Sequence, residues 1–165
     1  MIDFLIIGLP RSSTTWLANL FTTDTTLCLH DPFAEALPED WPRDGRKLGA
    51  SCTGAYLFPK WLATLDCPIA VIERDAAVCD ASLARMGWGD TSGLIGAFAC
   101  APGKRFKWDD LWHEDKAREL WEYLLPDVNF DPIRYTMLKR IQVQPHMGKW
   151  AWEPEIFNEM KRREQ

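Results

Sequence analysis

At 165 residues the chain is long enough for one domain with a core of its own and too short for two ordinary ones. Its net charge of −5 excludes the broad basic surface that a general nucleic-acid or membrane-surface binder needs, so any anion site is local. With 47% hydrophobic residues and nine Trp, the composition is that of a globular chain built around large rings, and exposed Trp would favour association into a homo-oligomer.

The opening Met1-Ile2-Asp3 carries no basic region, and the apolar run after it is far below the roughly 20 residues of a membrane span, so no targeting or membrane segment is expected. Phe4 to Ile7 is a continuous apolar run broken at Gly8, the pattern of a strand buried on both faces of a parallel sheet. Thr14 to Phe21 follows as a helix, with Trp16, Leu17, Leu20 and Phe21 at helical spacing. Leu27 to Leu29 reads as a short strand, and Asp31-Pro32 as a helix start with Asp as cap and Pro in the first turn. Glu39 to Arg46 is loop. Lys47 to Cys52 is a further short strand, and Ala55 to Leu65 reads as a helix that Pro59 kinks or delays. Ile69 to Ile72 is the second clear buried strand, after which Asp75 caps a helix ending near Gly87. The Gly-rich stretch 87–103 leans towards helix, and Arg105 to Trp108 towards strand. Glu114 to Leu125 places Ala117, Leu120, Trp121, Leu124 and Leu125 on one face and stops at Pro126.

Strands alternating with helices imply one α/β domain over residues 1–165, a mainly parallel sheet with helices on both faces. Ligands of such sheets sit at the carboxyl ends of strands. The five Cys show no CxxC spacing and an odd total, so neither a zinc site nor a disulfide framework is indicated. Reduced thiols in a cytoplasmic protein are expected. Three scattered His support no metal site.

Gly8-Leu9-Pro10-Arg11-Ser12-Ser13-Thr14-Thr15-Trp16 joins the first strand to the first helix, where free amides, a permanent cation at Arg11 and four hydroxyls make an anion cradle. A nucleoside-triphosphate loop would read GxxxxGK[ST]; Ser13 and Thr14 occupy its Gly and Lys places, which counts against ATP or GTP hydrolysis of that type. A plainer reading keeps the segment as a strand-loop-helix corner with a surface Arg and a core Trp. At the end of the second strand, Arg74 and Ser82 lie eight residues apart, so two helical turns bring Ser82 to the corner of the strand-end Arg. The plainer alternative there is an Arg paired with Asp75 or Asp80.

These residues resemble those of sulfotransferases that use 3′-phosphoadenosine 5′-phosphosulfate. The first loop is similar to their Pro-(Lys or Arg)-Ser-Gly-Thr-Thr-Trp segment, with Ser13 in the Gly place, where Gly would accept a positive φ. The resemblance implies a P-loop-like fold in which Pro10 to Trp16 hold the 5′ end of the nucleotide: Arg11 meets the sulfate and leaving phosphate, Ser12, Ser13, Thr14 and Thr15 bind the 5′-phosphate, and Trp16 stacks on adenine. It implies that Arg74 and Ser82 bind the 3′-phosphate, on a strand neighbouring Phe4–Ile7. Phe106 to Leu111 and Asp131-Pro132 are similar to structural segments of bacterial and carbohydrate members, and Gly148-Lys149-Trp150 to part of the nucleotide-covering loop, with His146 and Lys149 as contacts or as a solvated tail.

His30-Asp31-Pro32-Phe33 resembles the (His or Tyr)-Glu-Pro-Leu segment of carbohydrate-type members, which implies Asp31 as the base for an acceptor hydroxyl, with His30 and Glu35 as rivals and a capping role as the plainer reading. The function implied is metal-free transfer of a sulfuryl group to a hydroxyl or amine of a small-molecule or carbohydrate acceptor. The first rival is a non-catalytic nucleotide-binding or interaction module that keeps the fold. A second, a P-loop kinase-like enzyme, is opposed by the missing loop Lys.

Overall fold

Residues 4 to 107 supply five strands: β1 (Phe4–Gly8), β2 (Thr26–His30), β3 (Lys47–Cys52), β4 (Ile69–Glu73) and β5 (Lys104–Lys107). They form one sheet in the order β2-β3-β1-β4-β5, and every pairing is parallel. The structure is a computed structural model and describes residues 2–141 and 153–165.

β1 is apolar throughout because both of its faces are covered. Phe4 and Ile6 enter one core with Trp16, Leu17, Phe21, Trp121 and Tyr135, whereas Leu5 and Ile7 enter a second with Phe33, Phe58, Cys79 and Met160. Each such side chain contributes about 1.5–3 kcal/mol on burial. The first core is roofed by α1 (Thr14–Leu20), α5 (Glu114–Leu124) and α6 (Pro132–Arg140), and the second by α2 (Pro59–Ala63), α3 (Ala76–Ala84), α4 (Ile95–Ala99) and α7 (Pro154–Arg163). This is the α/β fold with a parallel sheet and helices on both faces that the sequence implies.

Local chemistry sets the element ends. Asp75 caps α3, its Oδ1 accepting from Ala77 N at 2.7 Å, and Gly87 closes the helix at φ 72° as its N–H reaches Ala84 O. The expected helix 55–65 is divided: Ala55–Leu57 is a 3₁₀ turn, Phe58 leaves the helical region at ψ 67°, and α2 begins at Pro59, because a proline disfavours helical backbone in the residue before it. In the stretch 87–103 only α4 is α-helical.

Two helices were not expected. In α6, Asp131 Oδ1 accepts from Ile133 N and Arg134 N at 2.9 and 3.0 Å, and the Arg134 guanidinium donates to the carbonyls of Asn19 and Leu20, which close the end of α1. In α7, Glu164 accepts from Lys60 N and Trp61 N at 2.8 and 3.0 Å, and so caps α2 with a side chain 104 residues away. Among the described residues no helix is long and apolar enough to cross a membrane.

Candidate anion-binding site

The register pairs Gly8 of β1 with Ile72 of β4, so the loop after β1 and the strand-end Arg74 leave the sheet side by side. The loop folds tightly over Gly8, where a Cβ would stand 3.0 Å from Ser12 Cβ and 3.4 Å from Thr14 Cγ2. Ser12 is fully buried, its N–H bonded to Leu9 O at 3.0 Å and its hydroxyl 3.8 Å from Cys79 Sγ on α3. Two residues of the loop are left-handed, Arg11 at φ 71° and Ser13 at φ 58°. Ser13 thus holds the conformation that a Gly in its place would accept freely, and its side chain makes no capping bond to α1.

Arg11, Arg74 and Ser82 are brought together. Arg11 Nε donates to Ser82 Oγ at 2.9 Å, and Arg74 Nη1 donates to the Arg11 carbonyl while its guanidinium carbon lies 5.6 Å over the Trp108 ring. Both Arg11 and Ser82 keep binding capacity: among the described residues Arg11 engages Nε and not its two Nη groups, and Ser82, accepting through oxygen, has its hydrogen to donate. The alternative of Arg74 paired to a neighbouring acid is not what forms, because Asp75 caps α3 and Asp80 accepts from Thr91 N at 2.8 Å. Among the described residues no carboxylate pairs with Arg11, Arg74 or Arg85. The Arg11 guanidinium is held below its ordinary pKa, first by burial and then by the charges of Arg74 and Arg85.

A second corner lies at the ends of β2 and β3. Asp31 does not cap the turn that follows it: its backbone is left-handed at φ 44°, no side-chain capping bond forms, and Pro32–Ala34 is a single 3₁₀ turn. Instead Asp31 Oδ1 accepts from Thr53 N at 2.6 Å and Thr53 Oγ1 at 3.0 Å, which ties β2 to β3. Its Oδ2 lies 3.2 Å from His30 Nε2, and the same nitrogen meets the hydroxyls of Thr14 and Thr15 at 3.1 and 3.0 Å. The Asp31 side chain is 9% exposed and that of His30 38%. Glu35, the other rival base, is exposed one turn beyond.

No family model, curated protein or solved structure matches the chain.

Trp16 requires a correction. It is 5% exposed, its ring packed at 5.7 Å against both Trp108 and Trp112 and at 6.2 Å against Tyr135, so it has no open face on which adenine can stack. Of the two readings of the loop, the core Trp is the one formed. Trp108 N also bonds Glu73 O at 2.8 Å, and Leu111 is buried, so the segment after β5 backs this ring cluster. Pro10 opens the loop, and Thr14 and Thr15 turn their hydroxyls to His30. His146 and Lys149 lie outside the described residues.

The sequence reading missed Arg85, Thr53 and Cys79. Arg85 had a signal, since it follows Ser82 by three residues and so shares its helix face. The partnership of Thr53 with Asp31 had none, being set by the pairing of β2 with β3. Among the described residues no group of three or more His, Cys, Asp or Glu is arranged to hold a metal ion.

Proposed function

We propose that the chain binds 3′-phosphoadenosine 5′-phosphosulfate across the carboxyl ends of β1 and β4 and passes its sulfuryl group to a hydroxyl or amine of a small-molecule or carbohydrate acceptor. The observation that carries this reading is the meeting of Arg11, Arg74 and the Ser82 hydroxyl at one corner with no carboxylate among the described residues to neutralise them. Like charges gathered without a counter-charge destabilise the free protein, and an anionic ligand removes that cost. A nucleotide with phosphate at both ends of its ribose matches two guanidiniums on adjacent strand ends.

In this reading Arg11 turns its Nη groups to the 5′ end, where negative charge develops on the bridging oxygen as the sulfuryl group leaves. Arg74 and Ser82 hold the 3′-phosphate. The acceptor's proton goes to His30 rather than to Asp31, whose oxygens are engaged by Thr53 and His30. A carboxylate only accepts, so Asp31 favours the hydrogen on Nε2 and leaves the lone pair of the more exposed imidazole at Nδ1. Asp31 is then a positioning residue.

Calorimetry with adenosine 3′,5′-bisphosphate and with AMP tests the nucleotide half. The bisphosphate should bind more tightly by roughly 2–4 kcal/mol, from one Arg and one hydroxyl contact. Equal affinities remove the sulfotransferase reading. Sulfuryl release over a panel of sugar, phenol and amine acceptors tests the other half. Tight, selective binding without turnover assigns the chain to the non-catalytic nucleotide-binding class, which the closed bonding of Asp31 favours.

A further inference from the structure

The helices over the second core leave a gap. A cavity of about 280 Å³ is lined by α2, α4 and α7, with Leu57, Leu62, Ala97 and Ala101 in its apolar wall beside Cys100 and Lys161. Leu62 and Ala101 are buried, Leu57 and Ala97 half-buried, and Cys100 and Lys161 exposed, so the pocket opens from the core to a rim that carries a thiol and an ammonium. Protein interiors are close-packed, and apolar walls left facing water are stabilised by an apolar occupant. The volume lies just under the roughly 300–1,000 Å³ of sites for drug-sized molecules, which suits a body of about nine non-hydrogen atoms.

The rim supplies one charge. α7 ends in three cations, and the helix dipole favours each of them without deciding what each meets. Arg162 pairs with Glu159, and Arg163 pairs with Glu159 and Glu39 at 2.9 and 2.6 Å. Lys161 is held differently, its ammonium 6.0 Å over the Phe58 ring and 5.6 Å over the Phe157 ring. Among the described residues no carboxylate pairs with it, and Glu164, one turn on, gives its two oxygens to the amides of Lys60 and Trp61. Ring faces position a cation without cancelling its charge. The complement of an apolar wall with one such cation at its rim is an apolar body that ends in a single negative charge. A phosphate monoester carries about two, one more than Lys161 meets.

We infer that this pocket binds a small monocarboxylate with an apolar body, the body lying against Leu62, Ala97 and Ala101 and the carboxylate at the Lys161 ammonium. None of Arg11, Arg74 and Ser82 lines the pocket, so the inference stands apart from the nucleotide reading.

NMR titration of the full chain and of its K161Q and K161R variants, with hexanoate and with 1-hexanol, tests this. Hexanoate should bind with a Kd on the order of 1 mM, and 1-hexanol at least about fivefold more weakly. K161Q should weaken hexanoate about fivefold and 1-hexanol less than about twofold, and K161R should stay within about twofold for both. In the unsubstituted chain, saturating hexanoate should slow alkylation of Cys100 by iodoacetamide about threefold or more, read by mass spectrometry, with Cys67 outside the pocket unaffected. No binding of hexanoate up to about 10 mM overturns the inference. So does equal affinity for hexanoate and 1-hexanol, full hexanoate affinity in K161Q, or an unchanged rate at Cys100. Displacement of hexanoate by adenosine 3′,5′-bisphosphate would place the carboxylate at the Arg11 corner, which supports the nucleotide reading and overturns this one.

Discussion

The corner at the ends of β1 and β4 and the corner at the ends of β2 and β3 are built alike and bonded oppositely. Both place polar side chains where parallel strands deliver their loops, and both contain left-handed residues, Arg11 and Ser13 in one and Asp31 in the other. At β2 and β3 the donors and acceptors satisfy one another: Asp31 takes the amide and hydroxyl of Thr53, and His30 stands between Asp31 and the hydroxyls of Thr14 and Thr15. At β1 and β4 the cations are fixed by neutral groups, a serine oxygen and a backbone carbonyl, which hold the guanidiniums in place without cancelling their charge. Orientation without neutralisation is what an anion site requires. The corner at β2 and β3 is therefore a scaffold that positions an imidazole, and the corner at β1 and β4 is where a ligand is to be sought.

If that contrast is right, the largest effect on stability comes from the self-satisfied corner. Asp31→Ala leaves the buried Thr53 amide without its acceptor and places Ala at φ 44°, and should lower the unfolding free energy in urea by about 3 kcal/mol. Asp31→Asn keeps an acceptor and tolerates the left-handed backbone, and should cost about 1 kcal/mol. An Asp31→Ala protein as stable as the unsubstituted chain, yet inactive, would make Asp31 the base itself and end the contrast. Arg74→Ala should behave in the opposite way. Bisphosphate affinity should fall by about 2–3 kcal/mol while urea stability moves by less than about 0.5 kcal/mol, because relief of repulsion from Arg11 offsets the lost bond to its carbonyl. A large loss of stability in Arg74→Ala would make both corners scaffold.

What the sequence reveals of the fold follows from which faces are buried. β1 and β4 are covered on both sides and therefore read as uninterrupted apolar runs, and α5 presents one apolar stripe to one core. α6 escapes such a reading because its apolar positions Ile133 and Met137 are 72% and 60% exposed, whereas the residue that anchors it is Tyr135, bonded to Leu111 O. α7 is half charged; Met160 and Phe157 pack it onto the second core, and the Glu164 carboxylate just beyond it caps a helix about a hundred residues earlier, a contact no local pattern encodes. In the candidate site, the Arg74 to Ser82 interval is legible because it is a helix period. The choice of partner for Arg74 is not, since two acids closer in sequence turn away to cap a helix and brace a loop. Asp31 before Pro looks like a cap in sequence, but its left-handed backbone sends the carboxylate to the next strand instead.

The burial of Trp16 gives a smaller test. Trp16→Phe removes a buried Nε1 that has no partner among the described residues but opens space beside Trp108 and Tyr135. The two effects oppose, and a net loss of about 1 kcal/mol of stability is expected with nucleotide affinity unchanged. A selective loss of affinity for adenine nucleotides would return Trp16 to the binding surface.

The smallest effect is expected at Ser13, and it asks whether the loop carries strain for the sake of its shape. A non-glycine residue at φ 58° and ψ 34° costs about 1–2 kcal/mol, and the Ser13 side chain makes no capping bond that offsets this. Ser13→Gly relieves the cost, but it also frees the unfolded chain, which takes back about 0.5–1 kcal/mol. The balance is a gain of about 0.5 kcal/mol, measurable as a shift of the urea midpoint with unchanged slope. Ser13→Ala keeps the strain and should show no gain, and Ser13→Val, branched at Cβ, should lose about 1 kcal/mol or more. Bisphosphate affinity should hold or rise in Ser13→Gly, because the loop keeps its turn and loses a side chain beside the cradle. A Ser13→Gly protein less stable than the unsubstituted chain would mean that the turn is not strained at Ser13, and that the serine supports the cradle rather than merely fitting within it.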